Sequence, residues 1–343
     1  MTEVETSRRR PSLTDVASRA GVSKAAVSKV IRNAYGVSPA MRERVELAIG
    51  ELGYRPRLAA RVMRGQSFTL GFEIPQLGNE FFTQIMQGAA DALAETGYQL
   101  IIAPGVGDLR GAPVLNALVD RQVDGLIAIS PEVAPLWLER LGEEVPIVLL
   151  GRHDESHSYD TLTNDDRAGA GLAMDHLFGL GHERIAHVSV GSAPEVPERL
   201  FPHAIRREVY NSAMIARGFT PQVVFGGPLE PEAYAASMRL LQVDDPPTAI
   251  FAGNDTLAIG ALRARSELGL SSAELSIVGY DDIALASQPF VSLTTVDQFG
   301  TQSGRMAVQL LMERIVQGRT ESRHHSIGPE LRVRTSSSRR LSR

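Results

Sequence analysis

Two sets of residues have types and spacing suited to chemistry, and they call for different partners. The first is compact: Lys24, Ala25, Ser28 and Lys29 present small or cationic side chains that can approach base edges and phosphates. The second is scattered along the chain as Gly151-Arg152-His153, Asn254-Asp255 and Tyr280-Asp281-Asp282. Carboxylates, an amide and a guanidinium suit a hydroxyl-rich ligand, because each bonds vicinal hydroxyls without full charge pairing. Phe81 and Phe82 can add an apolar platform for a sugar ring. Catalytic sets are harder to find. Adjacent carboxylates in Asp165-Asp166 and Asp281-Asp282 point apart on a strand and lack a nucleophile partner, and no Ser-His-Asp set stands in a nucleophile elbow. His153 and His157 lie in a Gly/Asp/Ser-rich loop where helical metal spacing does not apply, and His324-His325 are adjacent and solvated. Gly105-Val-Gly107 lacks the third glycine of a dinucleotide fingerprint. With no cysteine in the chain, thiol catalysis, disulfides and thiolate zinc sites are excluded. No cofactor and no metal are expected.

The elements that must hold the first set are three short helical patterns. The first runs from Ser12 to Ala20 with Leu13, Val16, Ala17 and Ala20 on one face, and Gly21 breaks it. Ser23 then offers an N-cap for Lys24–Ile31, whose Val27, Val30 and Ile31 face inward. Ser38 with Pro39 at the first helical position opens a third helix, with an apolar stripe of Met41, Val45, Ala48, Ile49 and Leu52 and a stop at Gly53. Two helices joined by a short Gly-containing turn, inside a three-helix unit, make a helix-turn-helix candidate whose second helix enters the major groove. Charge supports this. Residues 1–65 carry 13 Lys and Arg against 6 Asp and Glu, a net +7, while the remainder is −12 and the whole chain −5. A basic N-terminal piece on an acidic body is expected when only the first domain meets a polyanion.

From Thr69 onward short apolar strands alternate with amphipathic helices. Candidate strands are Thr69–Ile74, Tyr98–Ala103, Gly125–Ile129, Ile147–Leu150, Ile185–Val190, Val223–Phe225, Ala249–Phe251, Ile277–Gly279, Leu293–Val296 and Leu331–Arg334. Helices between them include Phe81–Glu95, Asp166–Gly179, His203–Arg217, Thr256–Leu268 and Gly300–Val316. Repeated βαβ order predicts an α/β fold with parallel sheets, and so many strands fit two sheets better than one. Ligands in such sheets sit beyond the carboxyl ends of strands, where the second set of polar residues falls.

The stretch Leu13-Thr-Asp-Val-Ala-Ser-Arg-Ala-Gly-Val-Ser-Lys-Ala-Ala-Val-Ser-Lys-Val, continued by Val37-Ser38-Pro39, Arg42, Val45, Ala48 and Leu52-Gly53-Tyr54-Arg55-Pro56, resembles the N-terminal signature of the lactose-repressor (LacI/GalR) family. The likeness extends through nearly the whole chain. It implies a helix-turn-helix headpiece over 1–55, a hinge helix over 56–67 and a two-lobed core like a periplasmic sugar-binding protein over 68–343. The first lobe would hold 68–163 and 296–325, the second 164–295 and 326–343. The DNA-contacting set it implies is Ser12, Leu13, Thr14, Ser23, Lys24, Ala25, Ser28, Lys29, Arg32, Ser38 and Tyr54, with Arg57, Ala60 and Met63 in the hinge. Met63 matches a side chain wedged between base pairs, where the family usually has leucine. Lys29 replaces a common arginine, turning a bidentate guanine contact into a point-charge contact, and Arg57 replaces a polar residue. The effector-contacting set comprises Arg206, Asn254, Asp281 and Gln298 by the resemblance, joined by Phe81, Phe82 and His153 from the residue reading.

The expected protein is therefore a homodimeric regulator on a pseudo-palindromic double-stranded operator, controlled by a small effector, a sugar before a purine. The N-terminus lacks the apolar core of a signal peptide and no apolar run approaches about 18 residues, so the expectation is a cytoplasmic protein with no membrane partner. The chain ends in Thr-Ser-Ser-Ser-Arg-Arg-Leu-Ser-Arg without an apolar heptad, which favours dimers over tetramers. A sugar-binding transport component and an α/β enzyme are the alternatives. Both would keep full activity without residues 1–65.

Overall fold

The computed structural model describes residues 11–31, 34–54, 66–107, 110–191, 197 and 200–340. Chain contacts divide it into two units, Met1–Ser67 and Phe68–Arg343. The sequence-predicted Arg32, Arg57, Ala60 and Met63, and with them the hinge helix, lie outside the described residues.

The first unit is built from α1 (Leu13–Ala20), α2 (Lys24–Ile31) and α3 (Pro39–Leu52). Ser12 caps α1 in a reciprocal box with Asp15, and Gly21 at φ 65° ends it. The Ser23 hydroxyl accepts from the Ala26 N–H at 3.1 Å, and Ser38 does the same for Met41 at 3.3 Å, so each helix starts on a serine as the spacing predicts. Val16, Ala17, Ala20, Val27, Val30, Val45 and Ala48 form the buried centre.

The second unit holds two six-stranded sheets. The first contains β1 (Thr69–Ile74), β2 (Gln99–Pro104), β3 (Gly125–Ile129), β4 (Ile147–Leu150), β5 (Asp160–Asn164) and β11 (His324–Ile327), in the order β11-β5-β4-β3-β1-β2 and parallel throughout. The second contains β6 (Ile185–Val190), β7 (Gln222–Gly226), β8 (Ala249–Ala252), β9 (Ser276–Asp281), β10 (Thr294–Asp297) and β12 (Glu330–Arg332), in the order β12-β10-β9-β8-β6-β7. Only β12 runs antiparallel to its neighbour among these described strands. Around the sheets lie α4 (Glu80–Leu93), α5 (Ala112–Val119), α6 (Pro135–Glu144), α7 (Asp166–Gly179), α8 (Pro202–Ala216), α9 (Glu230–Leu241), α10 (Asp255–Glu267) and α11 (Gly300–Gln317). The chain passes between the sheets three times, after β5, β10 and β11.

Two strands escaped the sequence reading. β5 is Asp-Thr-Leu-Thr-Asn and β11 is His-His-Ser-Ile, neither of which shows an apolar run. Ion pairs hold them in place: the buried Asp160 meets Arg314 Nη2 at 2.8 Å and Arg319 Nη2 at 2.6 Å, and the Thr161 hydroxyl bonds His324 Nδ1 at 2.7 Å. The seam between α4 and α11 depends on glycine. A Cβ at Gly88 would stand 1.9 Å from the Thr301 carbonyl oxygen, and one at Gly304 1.9 Å from that of Ile85. Two backbones that close leave no room for alanine.

Candidate functional site

In the first unit the serines that cap the helices also set what α2 presents. Val27 and Val30 anchor its inner face, leaving Lys24, Ala25 and Lys29 exposed and Ser28 half-buried on the outer side. Ser23 and Ser38 are exposed caps, Thr14 is exposed, and Ser12 and Leu13 are half-buried at the start of α1. Small caps and two cations on one helix face leave room for phosphates and base edges to approach. Tyr54 is 7% exposed and packs against the headpiece core. Tyr35 stands fully exposed in the turn after α2.

In the second unit a cavity of about 400 Å³ opens at the carboxyl ends of the strands of both sheets. That size suits a small metabolite. Phe81, Phe82, Arg206, Asn254, Asp281 and Gln298 all line it, so six of the seven predicted cleft residues are brought together. Asn79 caps α4 by accepting from the Phe81 N–H at 3.0 Å, and this start places the two phenyl rings at the wall with centroids 6.3 Å apart. Asn254 caps α10 by accepting from the Leu257 N–H at 2.9 Å. The neighbouring Asp255 turns inward to accept from the Ile283 N–H at 3.0 Å and the Thr295 hydroxyl at 2.6 Å.

The polar wall is one continuous network. Arg206 donates from Nε to Asp166 Oδ1 at 2.8 Å, from Nη1 to the Gly253 carbonyl at 2.7 Å and from Nη2 to Gln298 Oε1 at 3.0 Å. Its guanidinium also lies 3.6 Å from the Tyr280 ring centroid. Gln298 in turn donates to Asp281 Oδ1. Burial opposes ionisation of Asp166, but Arg206 and His153 outweigh it and hold the carboxyl below its ordinary range. Asp281 has no such cation in contact. Burial pushes it up to about 7, against the more distant pull of Arg206. Its Oδ2 is buried with no hydrogen-bond partner. Asp281 and Asp282 also adopt positive φ, 127° and 52°, a strained backbone that turns the carboxyl at the end of β9.

His153 stands apart from the other six. It does not line the cavity; its Nε2 bonds Asp166 Oδ2 at 2.9 Å, behind the wall. Arg152 is likewise structural, fully buried and bound to the carbonyls of Pro131 and Val133 and to Asp154. Among the lining residues the sequence reading missed are Arg110, Glu132, Asn164, His203 and Glu73. Glu73 was detectable as the lone charge in the otherwise apolar strand Thr-Leu-Gly-Phe-Glu-Ile.

Comparison with known proteins gives the same division. The sequence model for bacterial regulatory proteins of the lacI family matches residues 12–57, and that for a periplasmic binding protein-like domain matches residues 174–337. The HTH-type transcriptional repressor PurR of Aliivibrio salmonicida is 31% identical over 328 residues, covering 94% of this chain and 97% of that protein. The structure of the lac repressor dimer bound to operator and the anti-inducer ONPF superposes with a TM-score of 0.80 at 26% identity, covering 96% of this chain and all of that one. A complex of the transcriptional regulator CelR with cellobiose gives 0.69 at 29% identity, covering 95% of this chain and all of that one.

Proposed function

Because this chain belongs to the lacI family of bacterial regulatory proteins, we propose that it is a transcriptional repressor whose operator binding responds to a small metabolite held in the core cavity. It acts as a homodimer on a pseudo-palindromic site, through α2 in the major groove, and as a regulator without catalysis of its own. Relatives that are transcriptional repressors over almost their whole length support this reading. The observation that carries the ligand half is the cavity wall itself. Side chains from both sheets converge on one space, and the buried Asp281 carboxyl faces it with Oδ2 outside hydrogen-bond distance of any described side chain. A sugar fits the mix of carboxyl, amide and aromatic groups, and the CelR complex, which contains cellobiose, supports that choice.

The mechanism needs only differential affinity. Gln76 Nε2 donates to the Pro228 carbonyl at 3.4 Å and Gln84 Nε2 to the Asp282 carbonyl at 3.0 Å, so side chains of the first-sheet half bond the backbone of the second. A ligand that touches both walls favours one arrangement of the halves, and the DNA-binding unit responds to that shift. Among the described residues no helix is long and apolar enough to cross a membrane. Repressor relatives, which act on DNA, support a cytoplasmic role.

The test is a gel shift on promoter DNA with the full chain and with a chain lacking residues 1–67. Full-length binding that a metabolite modulates, lost on deletion, supports the proposal. Equal behaviour of both chains removes it.

A further inference from the structure

The cavity holds more buried acid than its own cations can neutralise. Glu73, 2% exposed inside β1, accepts from the Ile129 N–H at 3.1 Å and forms no ion pair among the described residues. The charged group acting on it is another carboxylate, Glu132. A Cβ at Gly105, just beyond β2, would lie 3.0 Å from Glu73 Oε1, so a glycine leaves space beside this carboxyl. Asp281 faces the same space from the second sheet, also 2% exposed, with Oδ2 unpartnered. The buried cation of the wall, Arg206, is already engaged by Asp166, the Gly253 carbonyl and Gln298. Arg110 is exposed at the margin.

A carboxyl enclosed without a cation keeps its proton, and burial pushes Glu73 up to about 8. A guest bearing an ammonium group changes that balance. The ammonium replaces the proton as the neutralising charge, and the resulting charge-assisted hydrogen bond forms where water is scarce. A neutral sugar offers Glu73 only an ordinary hydrogen bond.

We propose that the cavity selects an amino sugar, with its ammonium group held by Glu73 and a hydroxyl donating to Asp281 Oδ2. This deepens the ligand reading above and rests on it. Binding converts the neutral Glu73 carboxyl and the sugar ammonium into an ion pair and releases one proton to the buffer.

The experiment is isothermal titration calorimetry on the full-length protein, in two buffers of different ionisation heat. The probes are D-glucosamine, D-galactosamine and D-mannosamine, each against its parent hexose. At pH 7 the preferred amino sugar should bind about tenfold or more tighter than its parent. The ratio of its affinity to that of its parent hexose should rise about tenfold from pH 6 to pH 7, because Asp281, which burial pushes up to about 7, titrates in both complexes while only the amino form displaces the Glu73 proton. Close to one proton more should leave than with the parent hexose. Glu73→Gln, checked for folding by circular dichroism, should bind parent and amino forms alike and lose the pH dependence of that ratio. Parent hexoses that equal or exceed their amino forms overturn the inference, as does the absence of amino-sugar binding at millimolar concentration. If a neutral sugar or nucleobase binds and Asp281→Asn weakens it, only the amine inference fails. If neither probe set nor any nucleobase binds, and DNA binding ignores them all, the ligand-cavity reading fails with it.

Discussion

Replacing Glu73 with glutamine should stabilise the ligand-free protein at neutral pH and leave it unchanged in acid. The carboxyl ordinarily titrates at 4.5, and burial raises it to about 8 in the folded chain. Below pH 4.5 both folded and unfolded chains carry the proton, so the group is neutral in each and costs nothing. Between 4.5 and 8 the unfolded chain has released the proton while the folded chain retains it. Stability therefore falls as pH rises through this window, by about 1.4 kcal/mol per pH unit. At pH 7 the difference is about 3 kcal/mol. Glutamine keeps an oxygen for the Ile129 N–H, which now donates at 3.1 Å, and has no charge to bury. Urea unfolding of both proteins at pH 4.5, 6, 7 and 8 measures the effect. The glutamine variant should match the parent in acid and gain steadily towards pH 8. A stability difference that is constant across pH, or a deficit that widens with pH, would refute a buried, proton-bearing Glu73.

Lys29→Ala should weaken operator binding and reduce the slope of log affinity against log salt by about 1, because one phosphate-neutralising contact is lost from the exposed face of α2; salt titration by fluorescence anisotropy measures it. Arg206→Ala should cost about 3–5 kcal/mol in urea unfolding, since Asp166 would stay buried without the guanidinium now 2.7 Å away. Gly304→Ala should destabilise the protein by about 1–3 kcal/mol, read as a lowered Tm, because its methyl group meets the Ile85 carbonyl oxygen at 1.9 Å and the seam between α4 and α11 must open.

Legibility followed the range of the interactions. α2 and α7 fall on the residues predicted, because serine and aspartate caps, glycine stops and apolar periodicity are local signals. Strands such as β1 and β3 announced themselves as buried apolar runs. β5 and β11 did not, since their pairing depends on Asp160 finding Arg314 and Arg319 more than 150 residues away. The same distinction divides the site. Phe81 and Asn254 sit where helix starts put them, at the carboxyl ends of strands. His153 follows a strand end too, but a tertiary partner, Asp166, draws it behind the wall. Tyr54 entered only through the family resemblance, and its place against the three-helix core was set by tertiary packing. Glu73 showed the converse: a single charge in an apolar strand marked a cavity that no local pattern described.

The central claim joins a cationic helix that reads DNA to a metabolite cavity in the core. Fluorescence anisotropy with the full-length protein and a duplex from its own promoter region, set against a shuffled duplex, tests that claim most directly. The account predicts saturable, salt-sensitive binding that prefers the promoter by about a hundredfold or more and changes when a cavity ligand is added. Equal affinity for the two duplexes, with every ligand of the core leaving both unchanged, would contradict it.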